Sequence, residues 1–86
     1  MIEEGGVIIT LTRDQALVLS DWLSRKIHTS EFVAVVDDRA VWSPLLKING
    51  SLETGVLELF DSSYSDLLAE ARSRIIDDLG DFGIEE

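Results

Sequence analysis

Two stretches of this chain can each form a capped helix with an apolar stripe, and together they limit it to a small helical fold. The first is LTRDQALVLSDWL at residues 11–23, and the second is FDSSYSDLLAEAR at residues 60–72. In the first, Thr12 followed three positions later by Gln15 is a capping box, and Asp14 falls in the first turn, where a negative charge favours the helix dipole. A helix is expected over about residues 13 to 28. Its core stripe would be Ala16, Leu19, Trp22, Leu23 and Ile27, with Trp22 as a core indole. Leu17 then lies opposite that stripe and Val18 on its flank, so the helix is apolar over more of its circumference than one packing face requires. The second helix would be capped by Asp61, or by Ser63 with Asp66 at the capping-box position, and stopped by Gly80. Its stripe would be Tyr64, Leu67, Leu68, Ala71 and Ile75.

Between these helices the pattern is divided. Residues 32–36 and 39–42 flank Asp37-Asp38 as a hairpin would, and Asn49-Gly50 is a two-residue turn signal. Val41, Leu45, Ile48 and Leu52 nevertheless recur at helical spacing, and Ser43-Pro44 suits a cap and a first-turn proline. We read this segment as a helix that breaks or kinks near Ser43-Pro44, with central hairpins as the alternative. Residues 7–11 form a β-branched run suited to a short strand, and residues 56–60 are either its partner or an extended connector. The expected fold is therefore mainly α: a small three-helix domain with a short N-terminal strand, the alternative being α+β. Residues 1–86 form one domain, with loose ends at 1–5 and 81–86.

The two helical segments also resemble a family of small acidic bacterial proteins, mainly actinobacterial. Its pattern is roughly L-T-x-D-E-A-L-V-L-x-x-W-L followed by F-x-P-x-Y-x-x-L-L-x-x-A-R. The likeness covers about a third of the chain; Ser62-Ser63 stands where the pattern has proline, and residues 32–55 depart from it. The resemblance favours helix in the middle segment. Some members look like immunity partners of secreted toxins, which implies inhibition by binding.

Composition narrows the function. The net charge is −10, from 17 acidic and 7 basic side chains, and residues 44–86 hold −7 of it. Such a field repels nucleic acid and anionic lipid and attracts basic partners. No apolar run approaches the roughly 18 residues of a membrane span. The absence of cysteine excludes disulfide and thiolate chemistry. With no basic, apolar leader at its start, the chain is expected in the cytoplasm.

Catalytic signals are few. His28 is the only histidine, it falls at a helix end, and no glycine-rich nucleophile turn accompanies it. Asp77, Asp78, Asp81 and Glu85 do not follow calcium-loop spacing, and there is no phosphate-binding glycine pattern. Neither enzyme activity, a metal nor a cofactor is expected. The expected function is an immunity protein or antitoxin-like inhibitor that binds and blocks a basic toxin enzyme acting on nucleic acid or nucleotides. Its partner-binding residues would be Glu58, Asp61, Asp66, Glu70, Asp77 and Asp78, with Trp42 as an apolar anchor. In this reading the chain is a monomer or weak homodimer. The alternative is a self-associating module using Leu17, Val18 and Ile76 as a dimer face, or an adaptor using residues 7–11 as an open strand.

Overall fold

The computed structural model describes residues 5–56 and 61–83. Helix α1 spans Arg13–Lys26, α2 Ser30–Val35, α3 Trp42–Gly55 and α4 Tyr64–Leu79, with a single 3-10 turn at Arg39–Val41 leading into α3. The fold is mainly helical. α3 and α4 both pack on α1, which makes the first helix the hub of the domain.

Helix α1 begins as its sequence dictates. Thr12 Oγ1 accepts from the Gln15 N–H at 3.1 Å, and Gln15 Oε1 accepts from the Thr12 N–H at 2.9 Å, so two otherwise orphaned donors are satisfied reciprocally. Asp14 occupies the first turn and Arg25 and Lys26 the last, each with the sign the dipole prefers. The helix stops at Lys26, two residues short of the expected His28, with Ile27 as its C-cap.

The buried face of α1 is rotated from the expected stripe. Leu17, Ser20, Leu23 and Ile27 are buried, whereas Leu19 is half-buried and Trp22 is 41% exposed. Trp22 is therefore not a core indole. Leu17, at 4% exposure, belongs to the core with Leu23, Leu52, Val56 and Ala71. The rotation follows from having two neighbours rather than one: a stripe drawn for a single packing face misplaces the inward direction when a second helix covers an adjacent side. Leu17 accordingly cannot serve as the exposed dimer face of the alternative reading.

The middle segment is helical, and it divides earlier than expected. α2 is short, started by Thr29, whose Oγ1 accepts from the Phe32 N–H at 3.2 Å. Val36 and Asp38 then adopt non-helical backbone angles, and this is where the helix breaks. Asp38 Oδ1 accepts from the Ala40 N–H at 2.9 Å and starts the 3-10 turn that runs into α3. Ser43 is thus not the cap, although Pro44 does sit in the first turn of α3, where its missing N–H costs no helical bond. Asn49 and Gly50 lie inside α3 rather than in a hairpin turn. Its inward side carries Leu45, Asn49, Leu52 and Val56, a register displaced from the Val41 and Ile48 of the sequence pattern.

Helix α4 presents Ala71, fully buried, with Tyr64, Leu67, Leu68 and Ile75 half-buried, the stripe its sequence predicts. Gly80 ends it at φ +63°, a left-handed conformation that glycine adopts without a Cβ penalty. Its N-cap, Ser63, makes no side-chain capping bond. The described residues contain no strand; Val7, Ile8 and Ile9 are 85%, 72% and 76% exposed, and the expected partner segment, residues 56–60, lies mostly outside the described residues.

Candidate functional site

Two polar links fix α4 against α1. Arg74 forks onto Asp14, with Nε to Oδ2 at 2.7 Å and Nη2 to Oδ1 at 2.9 Å. This hydrogen-bonded guanidinium holds the Asp14 carboxyl below the usual aspartate range. The Tyr64 hydroxyl donates to Asp21 Oδ1 at 2.9 Å, while Arg25 Nε donates to Asp21 Oδ2 at 2.9 Å. Burial, and then the bond to Asp21, push the Tyr64 phenol up to about 12. These links join α4 to α1 on one side and leave its opposite side facing away from α1.

That outer surface is acidic. Asp66, Glu70 and Asp77 are all exposed, and their spacing of four and seven positions sets them in one line along the helix, about 16 Å from end to end at 1.5 Å per residue. None of the three makes an ion pair among the described residues. Asp77 and Asp78 also occupy the last turn of α4, which holds no basic residue. Acidic charge at that end opposes the partial negative charge of the helix C-terminus, so these residues lower the helix's own stability.

The other expected partner residues are dispersed. Asp78 lies on the flank facing α1, in the hollow lined by Thr12, Asp14 and Arg74. Asp61 precedes α4 and is engaged locally, its Oδ1 accepting from the Ser63 N–H at 2.7 Å and its carbonyl from the Tyr64 N–H at 3.1 Å. Glu58 lies outside the described residues. Trp42 is half-buried in an aromatic trio: Phe32 of α2 stands edge-on between Trp22 and Trp42, with centroid separations of 5.6 and 5.8 Å. This trio ties the start of α3 and the short α2 to α1, so Trp42 acts as a packing residue of the helix joint.

A second surface was not anticipated as such. Leu11, Val18, Leu19, Trp22 and Ile75 line a shallow apolar groove between α1 and α4, about 340 Å³ in volume, with Arg72 at its edge. Arg72 forms no ion pair among the described residues. Across Arg72 lies Ile76, 53% exposed, beside Leu68 and Ala69. Val18 and Ile76 of the proposed dimer face therefore border a common arginine, whereas Leu17 faces the core. The signal in the sequence was the excess apolar circumference of α1; it indicated an extra surface through Leu17 and Val18, of which Val18 lines the groove, and it missed Leu19 and Trp22.

Among the described residues no group of three or more His, Asp or Glu side chains is placed to hold a metal ion. No helix among them is long and apolar enough to cross a membrane. No family model, curated protein or solved structure matches this chain.

Proposed function

We propose that this protein is an immunity protein or antitoxin-like inhibitor, which binds a basic enzyme acting on nucleic acid or nucleotides and blocks its cleft. The observation that carries the reading is the line of exposed carboxylates, Asp66, Glu70 and Asp77, along α4. Enzymes that handle phosphates present positive clefts, and an anionic helix packed against its domain is complementary to them in charge. The −10 net charge supplies the long-range attraction. The acidic C-terminal turn adds a second argument: cations of a partner would relieve a repulsion that the free protein retains. The resemblance of the two helix motifs to small bacterial proteins with immunity-like members supports the same reading, and a cytoplasmic site of action would suit it.

The test is protection in cells. The protein is co-expressed with basic toxin-domain enzymes, beginning with any encoded beside its gene, and survival is compared with that of Asp66→Lys, Glu70→Lys, Asp77→Lys variants, singly and combined, each checked for folding by circular dichroism. Protection should fall stepwise as charge is reversed. In vitro, association should slow steeply as salt rises and the Debye length contracts from roughly 30 Å at 0.01 M to 10 Å at 0.1 M. Full protection by a folded triple reversal would overturn the reading.

A further inference from the structure

We propose that two copies of this chain pair, the exposed Val7-Ile8-Ile9 run of each seating in the α1–α4 groove of the other. The run and the groove are both uncovered within one copy: the three side chains are 85%, 72% and 76% exposed, and Trp22 at the groove is 41% exposed. Three consecutive β-branched residues and an apolar groove left in water are two halves of one burial.

Their placement makes a second copy the fitting occupant. Leu11, which lines the groove, is joined to the run through Thr10 alone, so the run leaves the domain from the rim of its own groove. Docking site and docking segment therefore adjoin on one surface. A single two-fold axis beside that rim sets each run over the opposite groove, giving a closed, self-complementary contact. Charge agrees in sign. Arg72 at the groove makes no ion pair among the described residues, and the sequence ahead of the run carries Glu3 and Glu4. Of the acidic line of α4, Asp66 and Glu70 lie on a different side of that helix from Arg72 and Ile75, so pairing leaves them uncovered, whereas Asp77 borders the hollow that Arg72 and Ile76 also line.

Pairing opposes two charges of −10, and this gives it a signature opposite to that of the inhibitor reading. Self-association should strengthen with salt, because screening weakens the mutual repulsion while apolar burial persists. Binding to a basic enzyme should weaken.

Sedimentation equilibrium of the full chain, from low salt to about 1 M, where the Debye length is about 3 Å, tests the proposal. The parent should show a concentration-dependent dimer that salt favours. Ile8→Asp lies at an exposed position and should keep the parent's circular dichroism while weakening the dimer about a hundred- to ten-thousandfold, because the two-fold contact loses two buried aliphatic side chains, each worth about ten- to a hundredfold. Arg72→Glu should weaken it as well. In a Trp42→Phe background, Trp22 emission should shift to the blue as the dimer forms. A parent that stays monomeric at every salt and concentration, or an Ile8→Asp protein that pairs like the parent, overturns the proposal. Either result leaves the protection assay unaffected, so the two readings fail separately.

Discussion

Helices α1 and α4 are of similar length and pack on each other, yet they are built to different ends. α1 has a reciprocal capping box, an acid in its first turn and two bases in its last. α4 has an uncapped start, an acidic last turn without a base and a fully buried alanine where α1 carries leucines. Local interactions thus support α1 at both termini, while α4 depends on its neighbour. A helix whose end charges oppose its own dipole, but which is held by a forked Arg74–Asp14 pair and the Tyr64–Asp21 bond, is stabilised by tertiary contacts and left free to present acid outward. The comparison separates a helix supported by its own ends from one supported by its neighbour.

The strongest way to break that comparison is to remove the framework. Leu23 is 2% exposed, and Leu23→Ala should cost about 3 to 5 kcal/mol, enough to unfold a domain of this size in chemical denaturation. Leu17→Glu should likewise unfold the chain, since it places a carboxylate in the core. A folded Leu17→Glu protein of altered mass would return Leu17 to an interface.

Caps sharpen the contrast. Thr12→Ala removes an observed side-chain bond and should cost about 1 kcal/mol, whereas Ser63→Ala removes none and should be neutral. Equal melting temperatures for the two variants would erase the distinction.

Charge at the end of α4 gives a smaller effect with the opposite sign. Asp77→Lys should stabilise the isolated protein by about 0.5 kcal/mol, raising Tm by about 2 to 4 °C, while it weakens partner binding. Improved stability together with unchanged binding would mean that Asp77 has no role in recognition.

The slightest effect near neutral pH concerns the Tyr64–Asp21 link. Tyr64 is the only tyrosine, so tyrosinate absorbance reports it alone. Its folded pKa, about 12, lies above the ordinary 10.0. The neutral phenol is therefore favoured by folding: its contribution is fully present below pH 10 and is lost as pH rises through the folded value. Asp21→Asn should lower the titration midpoint toward 10; an unchanged midpoint would leave burial as the sole cause.

The sequence by itself determined what depends on near neighbours. The Thr12–Gln15 box, the Gly80 stop and the helical spacing of α4's inward stripe are properties of residues near one another along one helix, and the acidic excess is a sum over the chain, so none of them needed a tertiary contact to be read. The break before α3 was less legible. Asp37-Asp38 suited a hairpin turn as well as a 3-10 start, and only the Asp38–Ala40 bond distinguishes them. Tertiary structure decided how each helix is rotated. With α3 and α4 on adjacent sides of α1, Leu17 and Ser20 went inward and Leu19 and Trp22 went to the groove, because the buried direction of a helix is the resultant of all its neighbours and not of its most apolar stripe. The same placement joined Arg74 to Asp14 across 60 positions of sequence and set Arg72 beside Val18. Periodicity in one helix carries no record of which partner will cover it.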